Sequence, residues 1–422
     1  MSSNFFRVST ANMYDSTLRN LAARQKTLVD LQENLTSGKR VVRPSDDPVA
    51  AAQAERALTR IGRIQAEQRQ LETQRNTIAQ GESTLGDVVG LVQEIRQLII
   101  GAGNGSLKGE DRKTFTQQIE SLREQLSATI NRKDTDGMPL LGALGSALQT
   151  FTGPLLGNPD YQFDGLPGQA ASQGNAIAGM LDGHAALMFD PVRDGIYNAS
   201  ITRASSASTL TSSTLQTSHL HTLDGASYSL QISAVTLDPI NHTTSVDYLL
   251  TKTDKAGTVT STGPFTTAPV ATGQPIPITI TEGADQVMSF ALQGQPEVGD
   301  TVDMQPSASL MSVIDQAIRS LTEAPDSSAA NHAVGQALTN LDAGMERVKA
   351  MRGYAGELLN RADRIGDDQK NRSIQLEGDR SRAEDLDMLQ GLSDFQNMHT
   401  GYEAALKSYA QVQRLSLFNY IG

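Results

Sequence analysis

Leu35–Ala57 reads LTSGKRVVRPSDDPVAAAQAERA, and it interrupts what is otherwise one long amphipathic helix. It gathers Gly38, Pro44, Pro48, the adjacent Asp46 and Asp47, and the basic Lys39, Arg40 and Arg43, and then resumes as helix. Gly38 and Pro44 are the residues that stop a helix. Asp47 followed by Pro48 is a start signal: an N-cap acceptor, then a residue whose missing N–H is harmless at the first helical position. Neighbouring carboxylates do not face each other on a helix, and no third acidic or histidine ligand lies beside them. Capping is therefore the expected role of Asp46 and Asp47, and metal binding is not. The three basic residues are expected to pair with these aspartates rather than to hold an anion.

Working outward, Leu18, Leu21, Leu28, Leu31 and Leu35 follow steps of three and four, the period of one helical face. Beyond Pro48 a strict heptad runs through Ile64, Leu71, Ile78, Leu85, Val92 and Ile99. Such a helix would be about 80 Å long at 1.5 Å per residue. It is expected to end at Gly101–Gly105, where glycines could take the left-handed C-cap conformation. Phe115, Ile119, Leu122, Leu126 and Ile130 predict a further helix.

The middle of the chain changes character. It is rich in Ser, Thr, Gly and Pro, with apolar residues alternating in SYSLQIS, SVDYLL, PIPITIT and VMSFAL. Tyr228, Leu230 and Ile232 share one face, as do Val246, Tyr248 and Leu250, then Ile276, Ile278 and Ile280, then Met288, Phe290 and Leu292. This period of two reads as half-buried antiparallel strands. Helix then returns. Leu338, Leu341, Met345, Val348, Ala355, Leu359 and Ala362 form one stripe, with Arg352 at the one missing position. Leu392, Phe395, Tyr402, Leu406, Tyr409, Leu415 and Phe418 form the last.

The fold class expected is mainly α with an inserted β-rich domain, a long antiparallel helical bundle being built from both chain ends. Paired terminal helices would occupy residues 1–45 and 380–422, a helical bundle domain 46–150 and 306–379, and a β-rich outer insertion 151–305.

With 422 residues the chain can bury sizeable cores, and its net charge of −12 with no long basic block argues against nucleic acid or an anionic membrane as partner. Zero Cys removes disulfides, thiolate metal sites and a Cys nucleophile. The N-terminus lacks the basic start and apolar core of a Sec-type signal peptide, and no stretch approaches the length of a membrane span.

No chemistry-bearing motif survives inspection. GAGNGS follows a helix and lacks the Lys-Ser/Thr of a phosphate loop. KDTDGMPLLG would place Arg132 first and Ala143 twelfth in a calcium loop, where carboxylates are needed. His219 and His221 could share one strand face, but without a third ligand they read as solvated strand histidines. No catalytic, cofactor-binding or metal residues are expected, and no enzyme.

The two ends carry a resemblance. Ser37, Gly38, Lys39, Arg40 and Val41, followed by Pro44–Pro48, are similar to the Ser-Gly-x-Arg … Asp-Asp pattern of the flagellin superfamily of bacterial axial proteins. LVQEIRQLIIGAGNGSL and NRKDTDGMPLLG resemble its helical-domain segments, and SYAQVQRLSLFNYIG resembles its C-terminus. Within the superfamily, RPSDDP and LSLFNYI look like the hook–filament junction branch rather than the filament branch. The middle shows no match.

The resemblance implies an architecture in which the terminal stripes, Leu18 to Leu35 and Leu392 to Phe418, pack within a tubular inner core. Gly38, Arg40, Pro44, Asp46, Asp47 and Pro48 would link inner helix to outer bundle. The implied function is a junction ring that adapts hook to filament. Its partners would be copies of itself, a neighbouring hook-associated protein, flagellin, and a cytoplasmic export chaperone over Leu392–Phe418. Type III export without a cleaved signal peptide, directed by Ser2–Ser9, would deliver it to the extracellular flagellum. A filament-forming flagellin and a surface adhesin remain as alternatives.

Overall fold

A computed structural model describes the backbone of residues 10–155 and 160–421, and the side chains of residues 15–155 and 160–411. The expected export segment, Ser2–Ser9, and the side chains of Leu415 and Phe418 lie outside the described residues. The chain is mainly helical, with a β-rich region inserted between helical ends.

Three helices come first: α1 (Thr10–Ser37), α2 (Pro48–Ala102) and α3 (Gly109–Ile130). The short strands β1 (Phe151–Thr152) and β2 (Gln162–Phe163) pair with each other, and single turns α4 (Gly183–Leu187) and α5 (Pro191–Asp194) follow. Then come β3 (Tyr197–Thr202), β4 (Thr211–Ser212), β5 (Gln216–Thr217), the turn α6 (Leu220–Leu223), β6 (Ser227–Asp238), β7 (Thr243–Thr253) and β8 (Val259–Thr266). The insert closes with β9 (Val270–Ala271), β10 (Ile276–Glu282), β11 (Asp285–Gln293) and β12 (Thr301–Pro306). Three helices end the chain: α7 (Leu310–Glu323), α8 (Ser327–Glu384) and α9 (Met388–Ile421). The chain divides into two compact units, one of residues 1–69 with 365–422 and one of residues 70–364.

In the larger unit, α2 and α8 run antiparallel. Arg75 pairs with Asp363 at 2.9 Å, Arg352 with Glu82 at 2.7 Å, and Arg96 with Asp342 at 3.0 Å, the numbers rising on one helix as they fall on the other. The polar Arg352, which breaks the stripe of α8, thus meets a carboxylate on α2. The α2 heptad is buried throughout: Ile64, Leu71, Ile78, Leu85, Val92 and Ile99 are 0–8% exposed. On α8 the buried positions include Leu341, Met345, Val348, Ala355, Leu358 and Ala362, so Leu358 is buried where Leu359 is only half-buried. Ile119 and Leu126 of α3, with Leu310, Ile314 and Leu321 of α7, complete the buried helical layer. α7 starts where the Ser309 hydroxyl accepts the Ser312 N–H at 3.1 Å.

The glycines that end α2 behave otherwise than expected. Gly101, Gly103 and Gly105 are not in the left-handed region. A Cβ on Gly101 would lie 2.8 Å from Phe115 Cε1, and one on Gly103 would lie 2.9 Å from Val334 Cγ2. Close approach of neighbouring side chains, not a left-handed cap, requires glycine at these two positions.

The insert is antiparallel. One sheet has the order β3-β12-β6-β7-β8 with β9 added to β7, and a second has β10-β11-β4 with β5 added to β11. Leu230, Ile232, Val246, Val302 and Met304 of the first sheet share one buried cluster with Ile276, Ile278, Ile280, Met288 and Phe290 of the second. Alternation along each strand therefore becomes the two inner faces of a sandwich. β8 is exposed along its whole length, and it is an edge strand interrupted by Pro264. His219 and His221 do not lie on a strand: His219 has a left-handed φ of 48° and precedes the α6 turn, which contains His221. Tight chain reversal ahead of β6 overrides the strand pattern there.

Candidate functional site

The terminal helices α1 and α9 lie against each other. They approach closely enough that a Cβ on Gly401 would sit 2.9 Å from Arg24 Nη1. Yet the pair buries little. Leu18 is 49% exposed, Leu392 49% and Leu406 42%. Leu21, Leu28, Leu31, Leu35, Phe395, Tyr402 and Tyr409 are half-buried. Val29, Met388 and Leu389 add further exposed apolar surface. Two helices can shield one seam only, and each stripe here is wider than that seam. The contrast with the closed heptad of α2 is one of exposure: the apolar faces of α1 and α9 stay largely open to solvent.

Both helices of this pair join the rest of their unit through breaks that lie side by side. α1 stops at Ser37 because Gly38 turns left-handed, with φ +71°. Arg43–Asp46 form a turn closed by the Asp46 N–H on the Arg43 carbonyl at 2.9 Å, with Pro44 at its second position. Asp46 Oδ2 accepts the N–H groups of Val42 at 3.2 Å and Arg43 at 2.8 Å. Asp47 Oδ1 accepts from Val49 at 3.1 Å and Ala50 at 3.0 Å, and Pro48 opens α2. The hydrogen bond from the Ala50 N–H, with help from the Arg40 guanidinium, holds the Asp47 carboxyl below its ordinary range against a smaller opposing desolvation.

The opposite break, Glu384–Met388, is fastened to this one by main chain. Arg40 N–H donates to the Glu384 carbonyl at 2.7 Å, and Leu386 N–H donates to the Gly38 carbonyl at 2.9 Å. Lys39 and Asp385 thereby form an antiparallel bridge. Arg40 Nη2 donates to the Ala383 carbonyl at 2.8 Å, and Nη1 reaches Asp47 Oδ2 at 3.4 Å. Val41, Ala50, Ala54 and Ala383 make a small buried cluster beneath, their short side chains letting the segments meet. Asp387 Oδ1 caps α9 by accepting from Leu389 at 3.0 Å and Gln390 at 3.2 Å.

The expected pairing of the basic cluster with the aspartates holds only for Arg40. Lys39 pairs with Glu384, and Arg43 with Glu33 at 2.8 Å, because Asp46 is committed to backbone N–H groups. Ala383, Glu384, Leu386 and Asp387 are the members of this site that the sequence pattern did not single out. Only Asp387, an N-cap residue followed by a helix, carries a signal.

A cleft of about 820 Å³ in the larger unit is lined by Ser200, Arg203, Ser208, Gln316, His332 and Gln336, among others. Arg203 is engaged by the Leu210 carbonyl at 3.0 Å and by Asp326 at 3.0 Å. Ser208 donates to Asp300 at 2.7 Å, and burial depresses the His332 pKa. Among the described residues no group of three or more His, Asp or Glu could hold a metal, and no helix is long and apolar enough to cross a membrane.

Comparison with known proteins agrees with these ends. Residues 8–144 match the family model described as the bacterial flagellin N-terminal helical region. Flagellar hook-associated protein 3 of Salmonella typhimurium is 33% identical over 135 residues, 31% of this chain and 41% of that protein. A flagellin of Listeria monocytogenes is 27% identical over 145 residues, 34% of this chain and 50% of that protein. The matched stretch thus spans about two fifths of the first relative and half of the second. The crystal structure of the flagellar junction protein FlgL from Legionella pneumophila superimposes with a TM-score of 0.55 at 20% identity. That superposition covers 74% of this chain and 99% of the other, which makes the fold a shared one.

Proposed function

We propose that this chain is a structural component of the bacterial flagellum that forms the junction between hook and filament. The observation that carries the reading is the open apolar face of the α1–α9 pair, in a chain whose longer heptads are already closed. A face of that kind is satisfied by neighbouring helices of the same type, as in a tubular core. The likeness to hook-associated protein 3 supports the junction over the filament, since its identity exceeds that of the flagellin over a similar length. The role involves no catalysis. Copies of the chain would form a short ring, with another hook-associated protein on one side and flagellin on the other. A cytoplasmic chaperone would cover the α9 stripe until export, which would deliver the chain outside the cell.

The test is a strain lacking the gene, its flagella viewed by electron microscopy and its medium blotted for flagellin. Hooks without filaments, together with flagellin monomer in the medium, are the expected result. Normal filaments would overturn the junction role and favour a surface adhesin or a redundant flagellin. Bare hooks with no flagellin in the medium would identify the chain as filament protein itself, the reading that its likeness to a flagellin keeps second.

A further inference from the structure

The break between α2 and α3 holds the only Asn-Gly pair in the sequence, Asn104–Gly105. Both residues are exposed. Asn104 Oδ1 accepts two hydrogen bonds from Ser106, from its backbone N–H at 3.1 Å and its hydroxyl at 2.9 Å. Two donors on one carboxamide oxygen draw electron density from Cγ and are already aimed at the atom where negative charge would develop. The nitrogen that could attack Cγ is the next one in the chain. Gly105 N–H donates to no backbone carbonyl among the described residues, and nothing crowds its Cα. The turn is held on both flanks: Asn104 N–H donates to the Gly101 carbonyl at 3.2 Å, Leu107 N–H to the Asn104 carbonyl at 3.0 Å, and Ser327 Oγ to the Gly105 carbonyl at 3.1 Å. An ordinary side-chain turn at a helix end explains the Ser106 contacts equally well, and such a turn would protect the amide. The two accounts differ in rate.

We propose that Asn104–Gly105 is a self-modification site, where the folded chain converts asparagine to aspartate and isoaspartate without an enzyme. Gly105 nitrogen gives its proton to solvent and attacks Asn104 Cγ. The new N–C bond closes a cyclic imide, the Cγ–Nδ2 bond breaks, and Nδ2 takes a proton from water and leaves as ammonia. Water then opens the imide at either carbonyl. Opening at the backbone carbonyl routes the main chain through the side-chain carbon; opening at the other restores the normal chain. Nothing is oxidised or reduced, and water is the only co-reactant. Either product adds one negative charge at the α2–α3 break.

The test incubates the full folded chain above neutral pH in water enriched in heavy oxygen, beside the same chain in denaturant, with peptide mapping by mass spectrometry. The Asn104 peptide is expected to take up one labelled oxygen, to split into aspartate and isoaspartate forms, and to do so faster in the folded chain. Gly105→Ala, which the open space and ordinary φ at that position accommodate, should suppress the reaction. Ser106→Ala should slow the folded chain about threefold to tenfold, the kinetic size of one ordinary hydrogen bond, and leave the rate in denaturant unchanged. A folded chain that reacts more slowly than the denatured one, or a Ser106→Ala chain that keeps the folded rate, overturns the proposal.

Discussion

Arg40 donates its backbone N–H to the Glu384 carbonyl at 2.7 Å, so the exit from α1 and the exit from α8 are joined by main chain and not by side chains alone. The Arg40 guanidinium then straddles the same joint, on the Ala383 carbonyl and the Asp47 carboxylate. Arg40→Ala should keep the backbone bridge and lose these two contacts. The expected destabilisation is about 1 kcal/mol, since the pair with Asp47 is largely solvated and the bond to the carbonyl carries most of the effect. Chemical denaturation of the purified chain reads it; an unchanged midpoint would show that the guanidinium is idle.

Gly38→Ala isolates the conformational requirement. Nothing lies within 4 Å of the added methyl, so any loss comes from the φ of +71°. Alanine in that conformation is disfavoured by about 1–2 kcal/mol, and asparagine, which tolerates it, by less. Equal midpoints for Gly38→Ala and the parent chain would be incompatible with the left-handed turn.

Asp47 gives a dependence on pH. Its folded-state pKa lies below the usual 3.8, because the Ala50 N–H and then the Arg40 guanidinium favour the ionised carboxyl. A depressed carboxyl contributes stability that is fully present above its unfolded pKa and is lost as pH falls through the folded one. Acid titration of unfolding should therefore show a component below about pH 4 that Asp47→Asn abolishes while retaining a cap at neutral pH. Asp47→Ala should lose the cap at every pH.

Two glycines of α2 should respond in opposite directions. Gly101→Ala drives a methyl to 2.8 Å from Phe115, and overpacking of this kind destabilises by about 1–3 kcal/mol. Gly62→Ala meets nothing within 4 Å in the same helix and should stabilise by about 0.5–1 kcal/mol through helix propensity. Thermal melts of the two variants measured side by side decide the matter. A shift of the same sign in both would refute the packing account.

The proposed assembly face separates folding from function. Leu392→Ser and Leu406→Ser remove exposed side chains and should change the stability of the isolated chain by less than about 0.5 kcal/mol. In cells they should abolish filament attachment, scored by motility and electron microscopy. Leu85→Ala, at a fully buried position, should do the reverse in vitro, destabilising by about 2–5 kcal/mol. Wild-type motility with both stripe variants would remove the interface from α9.

What was legible in the sequence is what a single period can carry. The α2 heptad and the strands around Leu230, Tyr248, Ile278 and Phe290 each face one core, so their spacing reports their burial. β8 has no such record: neither of its faces is covered, and VTSTGPFT shows no alternation to read. The end of α2 misled for a different reason, because glycine serves both for left-handed φ and for close approach, and only the positions of Phe115 and Val334 distinguish them. In the candidate site, the half built on Gly38–Pro48 announces itself through helix breakers. The half built on Ala383–Asp387 consists largely of residues common in helices, and it becomes a break only when Gly38 and Arg40 supply the hydrogen bonds that α8 gives up.

The paired breaks have a mechanical corollary. A helix hung from one flexible strand can swivel about it, and a bending load passes through a single peptide. Here α1 and α9 are anchored at one level by two strands of backbone that also hold each other, through Arg40 on Glu384 and Leu386 on Gly38. Such a joint resists twist, because turning one strand about the other shears both bonds together, and tension on one helix passes along its own linker and, through these hydrogen bonds, into the neighbouring one. A pair of rods gripped in this way swings as a single lever.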